Sequence, residues 1–287
     1  MSMEGITHRR IRTYGIWMHV AELGKLPLVL LIHGFPKLWS SWNYQMTHLA
    51  KHGYRVVAPD MRGYRDFDSP PDLASFTILH LVGDLIGLLD QLREEKHAFV
   101  VGHDWGTKVA WHVCLLRPDR VKALVNLNVP FRPCSPELKP LKFMNQSFSR
   151  YDCLTILKKF LLVNIIDFLN TPLELPPWII EKELQFSASK FQQSGFTGAL
   201  NYYRAMDMNW ELLGAWQGVK ITTPTKFIVG DEDVGFEAFG RGDYIKGKAF
   251  KGLVPNMEVV VIGGHHHIQI EKAERVTSEI LSFFGEW

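Results

Sequence analysis

The 287-residue chain has no long uninterrupted apolar run, only three cysteines and almost no charge imbalance. Each absence excludes something. A membrane-spanning helix needs about 20 consecutive apolar residues. The most apolar stretch, residues 154–169, is broken by Lys158, Lys159, Asn164 and Asp167, so no span is expected. Residues 1–13 carry charges and lack the apolar centre of a secretory signal, and the closing Phe-Gly-Glu-Trp is not a peroxisomal tripeptide. Cys114, Cys134 and Cys153 show no metal-ligand spacing and cannot all pair, which points to a reducing, cytoplasmic location. A net charge of +2 gives no reason to expect nucleic acid or an acidic membrane as partner. Repeats, low-complexity tracts and charge runs are missing as well. What remains is a chain of ordinary globular composition, long enough for one large α/β domain carrying an insertion.

Strands and helices alternate through the first part. Residues 16–21 read as a short edge strand. Residues 26–32 form a continuous apolar run, as a parallel strand buried on both faces should. A helix over 40–52 closed by Gly53 follows, then a strand over 54–60. Ile78, Leu81, Val82, Leu85, Leu89 and Leu92 mark an amphipathic helix. An apolar run over 98–101, a helix to residue 117 and a buried strand over 121–129 complete this part. Alternation stops at Pro130-Phe131-Arg132-Pro133, and only helical patterns are found until about Gly218. It resumes with strands over 225–230 and 257–262 and helices over 240–250 and 272–284. The pattern predicts an α/β fold: a mostly parallel sheet with helices on both faces, built from residues 1–130 and 219–287, with a helical lid over 131–218.

The stretch Val100-Val101-Gly102-His103-Asp104-Trp105-Gly106-Thr107 ends a strand and begins a helix. It has the form of the nucleophile elbow of α/β-hydrolases, a tight turn that lifts one side chain over the sheet. The serine usual there is absent, and Asp104 takes its place. A serine alkylated at saturated carbon becomes an ether, which water does not cleave. A carboxylate attacking the same carbon becomes an ester, which water does cleave. Asp104 therefore points to displacement at sp³ carbon, by epoxide opening or halide loss, against the plainer reading of a helix cap.

The remaining parts of such a site are present in the order nucleophile, acid, base. Gly230-Asp231-Glu232-Asp233 follows one late strand, and Gly263-Gly264-His265-His266-His267 follows the last. Asp233 would orient a histidine that activates water. Three consecutive histidines cannot all face one ion well, so no metal is expected. In His33-Gly34-Phe35-Pro36, Phe35-Pro36 is a candidate cis peptide. The amides of Phe35 and Trp105 would form an oxyanion hole, and the side chains of both would line the substrate pocket. His33 reads as a structural histidine. An epoxide oxygen also needs a donor, and Asn201-Tyr202-Tyr203-Arg204 in the lid offers tyrosines.

On His33-Gly34-Phe35-Pro36 with Trp39 and Trp42, Val57 through Tyr64, the elbow, and Asn201 through Leu212, the chain resembles the soluble epoxide hydrolases, particularly those of plants. The resemblance implies Asp104 as nucleophile, Asp233 as acid, His266 as base and Tyr203 as epoxide donor. It implies no cofactor and no metal, a small-molecule epoxide and water as partners, and a monomer or homodimer. There are departures. The first half of the lid, with the family's second donor tyrosine, reads as shortened, which leaves Tyr151 as the candidate substrate-binding replacement. Asp66-Phe67-Asp68 and Val234-Gly235-Phe236 are atypical, and His265 and His267 flank the base where the family has small and aromatic residues. The expected activity is hydrolysis of an epoxide to a vicinal diol through an Asp104 ester. The alternatives are haloalkane dehalogenation, or a repurposed cyclase, isomerase or ligand-binding receptor.

Overall fold

The computed structural model describes residues 5–64, 70–93, 97–133, 137, 139–141, 174–237 and 241–287. Tyr151, Asp66-Phe67-Asp68 and the first part of the expected lid lie outside the described residues.

Among the described residues eight strands form one sheet: β1 (Thr7–Thr13), β2 (Ile16–Leu23), β3 (Leu28–Ile32), β4 (Arg55–Pro59), β5 (Ala98–His103), β6 (Val121–Leu127), β7 (Thr225–Gly230) and β8 (Met257–Ile262). Their spatial order is β1-β2-β4-β3-β5-β6-β7-β8. Pairing is antiparallel in β1-β2 and β2-β4 and parallel from β4 onward. β3, β5 and β7 are buried at every position, which is why β3 and the first four residues of β5 read as continuous apolar runs. Each large apolar side chain buried there contributes roughly 1.5–3 kcal/mol, so burial outweighs local propensity along these strands.

Two expectations are corrected at the sheet's first edge and near its end. Residues 16–21 were expected as an edge strand, but β1 covers β2 and takes the edge itself. β1 (Thr-His-Arg-Arg-Ile-Arg-Thr) is exposed at its first four positions, so it carries no apolar pattern to read. The single helix expected over 240–250 is two, Arg241–Lys246 and Lys248–Leu253.

Helices α1 (Asn43–Lys51), α2 (Ile78–Gln91) and α3 (Trp105–Leu116) connect the first strands. Between β6 and β7 the described residues are helical: α4 (Glu181–Ser194), α5 (Thr197–Arg204) and α6 (Met206–Leu212). This segment is bonded to the sheet layer at two buried points. The Tyr202 hydroxyl donates to the Arg62 carbonyl at 2.8 Å. The Ile78 N–H, one of the donors left over at the start of α2, donates to Asn209 Oδ1 at 2.7 Å. Arg62 is itself fixed by a buried two-bond pairing with Asp84 at 2.8 and 2.6 Å. The C-terminal ends of β3, β5, β6 and β7 meet beneath these helices, where open α/β sheets collect their active groups.

Candidate active site

β5 runs straight into Asp104, and α3 starts at the next residue. Asp104 has φ 52 and ψ −118, a conformation that costs a non-glycine residue about 1–3 kcal/mol and persists only where the surroundings enforce it. Gly106 lets α3 press on β3, since a Cβ there would collide with the Ile32 carbonyl. The helix-cap reading is excluded, because the Asp104 side chain makes no capping bond to α3. Instead the Phe35 N–H donates to Asp104 Oδ2 at 2.8 Å, and the Trp105 amide bonds the same carboxylate. Gly34 makes room for this, since a Cβ there would lie 2.5 Å from Oδ2. The Phe35-Pro36 peptide is cis, as expected. His33 is structural: Nδ1–H donates to the Gly34 carbonyl at 3.1 Å and Nε2 accepts from the Met61 N–H at 3.0 Å.

The loop after β8 brings His266 to Asp104. Its Nε2 lies 3.5 Å from Asp104 Oδ1, and its Nδ1 lies 2.8 Å from Asp233 Oδ2. Asp233 Oδ1 accepts from the Gly235 N–H at 2.7 Å. Burial by itself pushes the Asp104 and Asp233 carboxyls up, but hydrogen bonds and charge from His266 outweigh it and hold both below the usual carboxylate range. Burial likewise works against the His266 cation, yet its bonds to Asp104 and Asp233 raise it to about 10. The unit is one imidazole between two anions.

Tyr203, half-buried on α5, sets its ring edge-on to Trp105 (centroids 4.9 Å) and Phe35 (5.9 Å), the two residues whose amides hold Asp104. Phe35 and Trp105, expected to line a pocket, are thus together with Tyr203, the expected donor. Beside them Phe196 meets Phe35 at 6.1 Å, and a groove of about 370 Å³ is lined by Pro36, Leu184, Ala188, Phe191 and Phe196 among others.

Sequence reasoning missed two residues. His103 Nε2–H donates to the His266 carbonyl at 2.8 Å. Asn128 Nδ2–H donates to the same carbonyl at 2.5 Å, while Asn128 Oδ1 accepts from the Gly230 N–H at 2.9 Å. Together they fix the His266 backbone and tie it to β7, the strand that leads to Asp233. The available signal was a polar residue closing each of two apolar strands.

The profile of the family described as the alpha/beta hydrolase fold matches residues 27–273. Epoxide hydrolase 1 of Siraitia grosvenorii is 45% identical over 315 aligned residues, covering 99% of this chain and 100% of the relative. An epoxide hydrolase of Caballeronia sordidicola is 34% identical, covering 97% and 94%. The crystal structure of an epoxide hydrolase from Vigna radiata superposes with a TM-score of 0.90 at 40% identity, covering all of both chains. The 315 positions of the first alignment exceed the 287 residues here by 28, so that relative carries residues this chain lacks. An aspartate where the hydrolase elbow usually has serine, an imidazole between two carboxylates and full-length similarity at this level lead to one assignment: the chain belongs to the epoxide hydrolases of the α/β-hydrolase fold.

Proposed function

We propose that this epoxide hydrolase works through Asp104, His266, Asp233 and Tyr203, with the amides of Phe35 and Trp105 as its oxyanion hole. The observation that carries the reading is the division of labour between the two Asp104 oxygens. Oδ2 accepts from the Phe35 N–H at 2.8 Å, while Oδ1 faces His266 Nε2 at 3.5 Å. Oδ1 attacks an epoxide carbon, the ring C–O bond breaks, and the departing oxygen takes a proton from the Tyr203 hydroxyl. The phenoxide is reprotonated by the proton that His266 gives up once Asp104 is esterified. His266 then takes a proton from water as it adds to the ester carbon. The negative charge develops on Oδ2, which the Phe35 N–H already meets, and the Trp105 amide bonds the same carboxylate, so donors stand ready without reorganisation. Collapse releases the vicinal diol and restores the carboxylate.

Residues 131–218 act as the lid, shortened in its first half. The lid's α4 and Phe196 line the apolar groove beside Phe35, which suits the apolar part of a substrate. A cytoplasmic location fits the scattered cysteines, and the protein acts as a monomer or homodimer. Dehalogenation is disfavoured because Phe35 stands where a halide would need a polar side chain.

A single turnover in ¹⁸O-water with excess enzyme tests the mechanism. The first diol is expected unlabelled, with the label in the Asp104 peptide by mass. Label in the first diol and none in Asp104 would overturn it. His266→Gln should trap the alkyl-enzyme, read as an intact-mass increase equal to the substrate.

A further inference from the structure

Behind the base lie two histidines that the proposed reaction does not use. His103 comes from the end of β5 and His267 follows His266, and their rings sit 5.0–5.4 Å from His266 and from each other by centroid. Each of the three places a ring nitrogen within 4.8 Å of the other two. His103 is fully buried. Its Nε2–H is committed to the His266 carbonyl, so its Nδ1 carries the bare lone pair, and that atom is buried without a hydrogen-bond partner among the described residues. His267 Nδ1 is in the same position. A buried polar atom without a partner is rare and asks for an occupant. His265 is not part of the group: its ring turns outward to Glu232 at 3.2 Å and Glu271 at 3.3 Å. The objection to three consecutive histidines sharing one ion does not arise here, because the third ligand, His103, comes from the end of β5.

From this geometry we infer that His103, His267 and Nε2 of His266 form a binding site for a divalent transition-metal cation such as Zn²⁺, and that its occupation shuts the hydrolase off. Neutral imidazole is the commonest ligand for such ions. Zn–N bonds of 2.0–2.1 Å put tetrahedral partners about 3.3 Å apart, so the rings must close by up to about 1.5 Å. His266 must turn Nε2 from Asp104 to the ion and lose the proton it carries there. Asp104, 3.5 Å from that nitrogen, supplies a neighbouring negative charge. The ring of His266 is 36% exposed, which opens a route from solvent. Lys37 acts against the site, since its charge bears on His267. An ion held there removes the base, while the fold and the aromatic pocket stay intact.

The test uses the full chain freed of metal with a chelator. Zn²⁺ is titrated into turnover of an aryl epoxide, and Co²⁺ binding is followed separately by its visible ligand-field bands. Inhibition at micromolar Zn²⁺, reversed by chelator, is expected. His267→Gln should raise the half-inhibiting concentration by at least about tenfold and leave metal-free turnover at the parent's level, and His265→Gln should change nothing. The Co²⁺ bands should saturate at one ion per chain and vanish in His267→Gln. Lys37→Met should lower the half-inhibiting concentration. His267→Phe serves as a second variant should the glutamine fail to fold. Inhibition of the His267 variants at the parent's concentration, loss of sensitivity in His265→Gln, or no Co²⁺ band at one equivalent would each overturn the proposal. The Co²⁺ readout needs no turnover, so its failure is distinguishable from failure of the epoxide chemistry.

Discussion

Asn128 offers a graded test of how the base is held. It is 2% exposed and has φ 66, in the left-handed region. Asn128→Gly keeps that backbone at no steric cost and deletes the side-chain bonds to Gly230 and His266, with the long 3.4 Å one to the His265 carbonyl. The Gly230 N–H then loses its acceptor inside the protein, which costs about 1–3 kcal/mol. The His266 carbonyl keeps His103 at 2.8 Å, so its loss is an ordinary net bond of about 0.5–1.5 kcal/mol. Together these give about 1.5–4.5 kcal/mol, or a fall in Tm of about 3–18 °C for a chain of this size. Asn128→Ala adds about 1–2 kcal/mol of left-handed strain, offset in part by about 0.4–1 kcal/mol of lower unfolded-state entropy. Alanine should therefore be the less stable of the two, reversing the usual order. The kinetic consequence is specific. Asp104 and its two amides are not bonded to Asn128, so alkylation should proceed at nearly the parent rate. The His266 loop loosens, and a shift near 1 Å costs on the order of 10²-fold in the step that uses it, so the ester should accumulate. Calorimetry and single-turnover kinetics with intact-mass detection give both readings. Alanine as stable as glycine, or both steps slowed equally, would refute the reasoning.

Tyr203→Phe should slow alkylation by about one to two decades, the worth of about 1.5–3 kcal/mol for a hydrogen bond to a charged oxygen, and leave ester hydrolysis unchanged in single-turnover traces. Gly106→Ala drives a Cβ into the Ile32 carbonyl and should cost upward of about 3 kcal/mol, seen as a large drop in Tm or in soluble yield. His266 is raised above its ordinary 6.5 to about 10. Its contribution to stability is thus fully present below pH 6.5 and lost as pH rises through about 10. The difference in Tm between the parent and His266→Gln should shrink from pH 6.5 to pH 10, by an amount limited by the partial exposure of the ring; a constant difference would contradict the ion pairing.

Much of this was legible because burial writes itself into composition. β3 and β5 are covered on both faces, so each reads as an apolar run, and the glycine frame around Asp104 marks the elbow in the sequence itself. β1 was not legible: its partner is one antiparallel neighbour, most of it is exposed, and four of its seven residues are His or Arg. The base was narrowed by chain order to a triplet, and only the family resemblance picked His266. Tertiary distance makes that choice physically, since His265 reaches glutamates on the surface while His266 reaches Asp104 and Asp233. Asn128 and His103 act through a carbonyl 138 and 163 residues away, a relation with no local pattern. The split of Arg241–Lys246 from Lys248–Leu253 falls at Gly247, where a helical window shows no loss of apolar period.

An imidazole raised to about 10 is a poor base at neutral pH, because it already carries the proton it is meant to take. The proposed reaction removes this difficulty by itself. In the resting enzyme two carboxylates hold the His266 proton. Esterification turns Asp104 into a neutral group, so one of the two anions and its hydrogen bond disappear. Burial, which always works against the cation, is then opposed by Asp233 alone, and the proton leaves for the opened oxygen by way of Tyr203. His266 becomes a base only once there is an ester to hydrolyse, which also keeps it from activating water before the substrate arrives. Asp104→Asn mimics the neutral ester in size and charge. By NMR of the labelled ring, His266 should titrate well below about 10 in that variant, toward the ordinary histidine value near 6.5. Titration unchanged from the parent would mean that Asp104 does not set the proton's affinity, and the order of steps would need another cause.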